Sequence, residues 1–270
     1  MDNSGKFQIG DPVFIVYDRR RYWMKTVEEK EFHCNYGLIK LGELVGKTDG
    51  SLIETNKGKK LRVYFPKIND WIRSFEHQGQ IIYEKDAAQI AFLLDIKSGS
   101  IIYEAGTGSG ALTSYLSQIV GPTGKIVTHD VRNAAKKTAQ KNLGRMGVTN
   151  VEFNLRDVIE EGFVEGKADA IILDMVDPWR VLSHVQNVLK IGKKIVIFIP
   201  SYNQIEKTFV ALKEYKFREI RAIELLEREI QLKENAIRPS TRMIGHTGFL
   251  MEAIFVEKVN HESINNLVVE

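Results

Sequence analysis

The sequence predicts an α/β fold, a mostly parallel sheet with helices on both faces, preceded by a small N-terminal β-barrel. Three observations predict it. From about residue 80, short apolar runs alternate with stretches of helical apolar period. Before that point, β-branched and aromatic runs are punctuated by Gly37, Gly42, Gly46, Gly50 and Gly58. Charge also divides near residue 75: of 38 Lys/Arg and 35 Asp/Glu, residues 1–75 hold 14 and 10, a net of +4, and the remainder is nearly neutral. The 270 residues therefore split into a β-rich domain at 1–75 and an α/β domain at 76–270.

Each element follows from its local pattern. Val13–Tyr17 and Arg62–Phe65 read as strands of the barrel, and Pro66–Gly79 as a linker whose Trp71, Ile72 and Phe75 pack. Asp86–Leu94 reads as a helix with Ala87, Ile90, Ala91 and Leu94 on one face, and Ile101–Tyr103 as a buried strand. Gly110–Val120 is the next helix, stopped by Gly121-Pro122. A strand at Lys125–His129, a helix at Asn133–Met146 and a strand at Val151–Leu155 follow. The strand Ala168–Leu173 leads through Asp174 to a helix opening at Pro178, whose fixed φ suits a first helical position, and ending at Gly192. Ile195–Ile199 is a central strand and Ile205–Leu212 a helix. Late strands near 217–231 and 248–257 make an antiparallel pair at one edge.

Composition removes several classes. The single cysteine, Cys34, allows no internal disulfide and no cysteine-rich zinc site. No apolar run reaches 18 residues, and the opening MDNSGKFQIGD does not read as a signal peptide, so a soluble cytoplasmic protein is expected. Basic residues cluster at Arg19, Arg20 and Arg21 and at Lys57, Lys59, Lys60 and Arg62. Such clusters are a solvated face or a phosphate-contacting one.

The chemistry-bearing segment is Glu104-Ala105-Gly106-Thr107-Gly108-Ser109-Gly110, between a strand and a helix. Its glycines allow a tight turn and let a ligand approach the helix N-terminal amides of Ser109, Gly110, Ala111 and Leu112. The spacing is G-x-G-x-G, not the G-x-G-x-x-G of nicotinamide dinucleotide sites. Glu104, at the strand end, suits the amino group of an amino-acid-bearing ligand. Asp130 follows the next strand, where a carboxylate can accept from both hydroxyls of a ribose. Asp157 follows the third strand and can accept from an adenine amino group. All three acids stand at carboxyl ends of consecutive strands, where open α/β sheets bind ligands.

Together these residues resemble a class I S-adenosylmethionine-dependent methyltransferase with a Rossmann-like sheet. Three segments narrow the resemblance: Gln80–Asp86 (QIIYEKD), Glu104–Thr113 (EAGTGSGALT) and Leu173–Trp179 (LDMVDPW). With Arg238-Pro239 and His246–Phe249 (HTGF), they resemble the T-loop tRNA adenine-N1 methyltransferases of archaea and bacteria over roughly residues 75–257.

The resemblance implies methyl transfer to N1 of adenine at position 58 of tRNA, with position 57 as a second acceptor in some archaeal members. It implies S-adenosylmethionine as cofactor, no metal, and a homotetramer. Asp174 would accept from the adenine N6 amino group, and Tyr83 would stack on a base or on the cofactor adenine. The cofactor contacts implied are Gln80, Glu104, Gly106, Gly108, Ser109, Gly110, Ala111, Leu112, Asp130, Asp157 and Asp174. His246 is expected as a contact near the target base, and His129 in no special role. The chain departs from the family pattern at Val176, where proline is usual. The rival expectations are a methyltransferase of another substrate on the same fold, and a non-catalytic RNA-binding subunit. Intact Gly106, Gly108, Gly110 and Asp174 weigh against the second.

Overall fold

A computed structural model describes residues 5–18, 21–77 and 79–257. They form two compact units, Met1–Phe75 and Glu76–Glu270. The basic pair Arg19 and Arg20 lies outside the described residues.

Among the described residues the first unit contains six strands: β1 (Pro12–Asp18), β2 (Arg21–Thr26), β3 (Glu31–Cys34), β4 (Gly37–Lys40), β5 (Leu52–Glu54) and β6 (Lys60–Tyr64). Among the described residues these do not close into the expected barrel. They make an open antiparallel sheet of order β2-β1-β6-β5 and a separate β3–β4 hairpin. Closure needs a continuous ladder of tilted, staggered strands, and β3, β4 and β5 are only 4, 4 and 3 residues long. One core nonetheless joins sheet and hairpin, with Phe7, Val13, Ile15, Ile39, Leu61 and Val63 buried together. The expected linker contains a helix, α1 (Ile68–Ser74), with Trp71 and the following Phe75 buried.

The second unit is built on a seven-stranded sheet. Its elements run α2 (Glu84–Leu93), β7 (Ile101–Ala105), α3 (Ala111–Val120), β8 (Lys125–Asp130), α4 (Asn133–Arg145), β9 (Val151–Leu155), β10 (Ala168–Leu173), α5 (Leu182–Val188), β11 (Leu189–Ile199), α6 (Tyr202–Glu214), β12 (Phe217–Glu224), the two-residue pair β13 (Ile230–Gln231) and β14 (Arg238–Pro239), and β15 (Phe249–Phe255). The order is β12-β15-β11-β10-β7-β8-β9, parallel from β11 to β9, with β15 antiparallel to both β11 and β12. The late strands thus form an antiparallel pair at one edge, and the last of them enters the sheet one place inside it.

Strand alternation explains why helices cover both faces. From β10, Ala170 and Ile172 pack with Ile90, Leu93, Leu112 and Leu116. Their neighbours Ile171 and Leu173 pack with Val181, Leu182, Val185 and Leu212. The helix expected from Pro178 to Gly192 is shorter. A 3-10 turn spans Pro178–Val181, α5 stops at Val188, and β11 starts at Leu189, which pairs with Ala168. Val185, Val188 and Leu189 follow the helical spacing i, i+3, i+4, but Leu189 and Ile191 also alternate as a strand does, and pairing with β10 decides for strand at Leu189. No helix among the described residues is long and apolar enough to cross a membrane.

Candidate active site

The chain leaves β7 at Ala105 and enters α3 through a turn in which Gly106, Gly108 and Gly110 have φ of 100°, 55° and 79°. Two of these glycines are also required by space. A Cβ on Gly106 would overlap the carbonyl oxygen of Asp174, and one on Gly110 would press into Leu143 and Ala139. A Cβ on Gly108 would meet nothing within 4 Å. The loop is therefore gripped on two sides and open at its middle. Gly110, the N-cap of α3, has no side chain to cap the helix, so the first-turn amides including Ala111 and Leu112 lack intrahelical acceptors. Ser109 is buried, and its carbonyl accepts from Asn142 Nδ2 at 3.0 Å.

Glu104, 1% exposed, accepts from Thr113 Oγ1 at 2.6 Å. Burial pushes its carboxyl up to about 7 against the hydrogen bonds of Thr113 and Thr128, and the charges of Asp174 and Asp130 add to the rise. Asp130, at the end of β8, accepts from Gly108 N at 3.0 Å, from Arg132 N at 2.9 Å, and from both Nε and Nη2 of Arg132 at 3.2 Å. Asp157 uses Oδ1 to cap its own turn, accepting from Ile159 N at 2.9 Å. Asp174 follows β10 and is fixed by its amide, which donates to the Ala105 carbonyl at 2.8 Å. Burial raises the Asp174 carboxyl to about 6; Arg132 opposes the rise and Asp130 adds to it.

These groups surround space. A cavity of about 430 Å³ is lined by Gly106, Asp130, Arg132, Asp157, Ile159 and Asp174. A second, of about 390 Å³, is lined by Gln80, Ile82, Asp174, Phe198, Gln204 and Thr247. Asp174 stands in the wall of both. The expected residues Gly106, Asp130, Asp157 and Asp174 are thus brought together. Gln80, expected beside them, lines the second cavity instead, and Glu104 lies behind the wall rather than on it. Tyr83 lines neither cavity. It precedes α2 as its N-cap and faces a third space of about 230 Å³ with Arg242, Met243 and Thr247.

Two histidines differ in kind. His129 is buried, its Nδ1 sits 3.0 Å from the Glu104 carbonyl, and burial pushes its pKa down. His246 is exposed, with Nδ1 2.6 Å from Glu224 and Nε2 2.9 Å from the Pro200 carbonyl. Those two acceptors raise its pKa. Pro200 lines the second cavity, so His246 supports that wall from outside.

Sequence reasoning missed Arg132, Gln204 and the buried Asp86. Asp86 accepts from Lys85 Nζ and from Thr247 Oγ1, both at 2.8 Å, and so ties α2 to the loop before β15. The adjacency of Arg132 to Asp130 was a readable signal. Gln204 has none, because its partner is a backbone carbonyl far away in sequence.

The first cavity is walled by Asp130, Asp157, Asp174 and Asp177 against Arg132 and Arg156, the latter donating to the Gly162 and Glu161 carbonyls; Asp174, and Glu104 behind the wall, are held well above the usual carboxylate range. Such a pocket favours a cation. An adenosine carrying a sulfonium and an ammonium group fits it in charge, and fits the open side of Gly108 and the uncapped start of α3 in shape. Among the described residues no group of three or more His, Cys, Asp or Glu is arranged to hold a metal ion.

A family model described as the tRNA methyltransferase complex GCD14 subunit matches residues 62–247. The chain is 35% identical over 267 residues to the tRNA (adenine(57)-N(1)/adenine(58)-N(1))-methyltransferase TrmI of Methanocaldococcus jannaschii, covering 88% of this chain and 93% of the relative. It is 30% identical over 240 residues to the tRNA (adenine(58)-N(1))-methyltransferase TrmI of Thermus thermophilus, covering 88% and 94%. Among solved structures, TrmI of Aquifex aeolicus superposes with a TM-score of 0.80 at 29% identity, over 94% of this chain and 100% of that one. A SAM-dependent O-methyltransferase of Thermotoga maritima superposes at 0.88 with 32% identity, over 95% and 97%.

Proposed function

The chain belongs to the tRNA methyltransferase family described by the GCD14 subunit, and from that premise we propose how its residues move a methyl group from S-adenosylmethionine to N1 of an adenine in tRNA. The observation that carries the reading is the position of Asp174 in the wall of two cavities. The first cavity, with Gly106, Asp130 and Asp157, takes the adenosine and methionine of the cofactor. The second, with Gln80, Phe198 and Thr247, takes the acceptor adenine. When bound, the cofactor supplies a sulfonium methyl that is already electrophilic.

The protein supplies alignment and charge. Adenine N1 is a weak nucleophile, and its methylation leaves positive charge spread over N1 and N6. Asp174, ionised, accepts from the N6 amino group and so binds the charge-bearing transition state more strongly than the neutral base. Glu104 and Asp130 hold negative charge close to the cofactor's cationic groups. The first-turn amides of α3 receive its carboxylate. Asp130 takes the ribose hydroxyls once the Arg132 guanidinium, which is more than half exposed, swings away. Tyr83 meets a base from the third space, across Thr247.

Reaching a T-loop adenine requires taking the base out of its stack, at a cost of a few kcal/mol. Phosphate contacts offset that cost, and the exposed Lys57, Lys59, Lys60 and Arg62 of the first unit are suited to make them. We assign the activity to the cytoplasm and expect a homotetramer, which mass measurement in solution tests.

Incubation of unmodified tRNA with labelled cofactor, followed by mapping of the modified base, tests the whole reading. N1-methyladenine at position 58 is expected, and label at 57 as well identifies a two-site enzyme of the kind named for the Methanocaldococcus relative. Label on N6, on a pyrimidine or nowhere overturns it. The Thermotoga neighbour's name motivates one competing acceptor, an oxygen nucleophile, which the same mapping detects.

A further inference from the structure

The geometry points to Gln204 as a positioning residue for the acceptor side of the site: its amide, oriented by Ser201, holds the loop that carries Asp174 at a fixed height over the second cavity. This inference rests on the methyl-transfer reading above. Asp174 is anchored at its own amide, and Pro178, at the start of the 3-10 turn, is buried. Between them Met175, Val176 and Asp177 have no regular structure, and Val176 is 77% exposed. Among the described residues the side-chain hydrogen bond that reaches this span comes from Gln204, whose Nε2 donates to the Val176 carbonyl at 2.8 Å.

The direction of that bond is set by Ser201. Its hydroxyl donates to Gln204 Oε1 at 2.7 Å, which leaves the amide nitrogen to face Val176. Ser201 is the N-cap of α6, a position where serine ordinarily accepts from a first-turn backbone amide, yet it makes no such bond. Its hydroxyl is turned to Gln204 instead. Three residues further along α6, Lys207 Nζ lies 5.0 Å from the ring centre of Trp179, in the 3-10 turn that follows the loop. One helix thus holds the Asp174 loop at Val176 and the turn after it at Trp179. Gln204 lines the second cavity while the tethered Asp174, Met175 and Val176 line both, so the bond acts from the acceptor side on the partition against which the acceptor base would rest.

The test compares the full-length chain with Gln204→Glu, Gln204→Met and Ser201→Ala. The measurements are kcat and KM for unmodified tRNA, cofactor affinity by calorimetry, and the emission of Trp179. Glu keeps the shape of Gln but sets an acceptor against the Val176 carbonyl, so kcat should fall about tenfold or more. Met keeps the length without the donor and should lose less; Ser201→Ala, which frees the amide to rotate, should lose about threefold. Cofactor affinity should stay within about threefold in all three, and Trp179 emission should shift in Gln204→Glu.

A wild-type kcat retained by Gln204→Glu overturns the inference. So does a loss of cofactor affinity as large as the loss of kcat, which would deny the tether an acceptor-side role. If the wild-type chain fails to methylate adenine N1 while Trp179 emission still responds to Gln204→Glu, the tether stands and the methyl-transfer reading is what falls.

Discussion

Asp174 combines three properties that the surrounding residues impose separately. Its backbone is fixed by Ala105, its carbonyl fills the space a Gly106 side chain would need, and its carboxyl is raised to about 6 by burial. Acceptance from N6 needs the ionised form, so kcat/KM should rise with pH through about 6 and level above it. A cationic cofactor lowers that titration, so the acid limb of kcat should lie below that of kcat/KM. Paired pH–rate profiles check this, and coincident limbs would contradict it. Asp174→Ala should reduce kcat about a hundredfold or more while cofactor binding survives. Gly106→Ala is the complementary change. It clashes with the Asp174 carbonyl at a backbone φ of 100°, and should weaken cofactor binding and lower the melting temperature by about 5 °C. Asp174, Asp130 and the glycine loop were legible in the sequence because each stands at a strand end beside a helix start. Arg132 was signalled only by its place two residues after Asp130, and Gln204 by nothing, since what Gln204 does depends on a carbonyl that folding brings to it.

At the scale of elements, legibility follows the range of the interactions that decide each one. Helices α3 and α4 and the strands β7 to β10 are set by local periodicity, and the sequence places them within a few residues. The junction of α5 and β11 escapes because Leu189 belongs to both a helical and an alternating pattern, and the Ala168–Leu189 pairing chooses between them. The barrel escapes for a related reason. Closure depends on which distant edges meet, and among the described residues β3 and β4 pair with each other alone. The β5–β6 hairpin carries the exposed Lys60 and Arg62, with Lys57 and Lys59 in its turn. Replacing all four by Gln should weaken tRNA binding and flatten its dependence on salt, with cofactor affinity unchanged. Filter binding from low to high salt measures the slope; an unchanged slope would remove this hairpin from the RNA contact.

For the whole molecule, the raised carboxyls link stability to cofactor and pH. Glu104 at about 7 and Asp174 at about 6 both lie above the ordinary carboxylate range in the folded chain. Their contribution to stability is therefore fully present below about pH 4 and lost as pH rises through 6 to 7. A bound cation offsets that loss. The rise in melting temperature on adding cofactor should be larger at pH 7.5 than at pH 5, and binding near pH 6.5 should release protons. Calorimetry in buffers of different ionisation heat measures the release. Proton uptake would refute the cation-seeking account of the pocket.

The place of β15 has a consequence for synthesis. It lies between β11 and β12, so β12 reaches the sheet only through a strand made after it. While the chain emerges from the ribosome, the edge of β11 stays open and β12 has nothing to join until Phe249–Phe255 arrive. A chain stopped before Phe249 forfeits two strands at once. The nascent protein therefore holds a five-stranded sheet whose β11 margin stays bare until nearly the last described residue has been added.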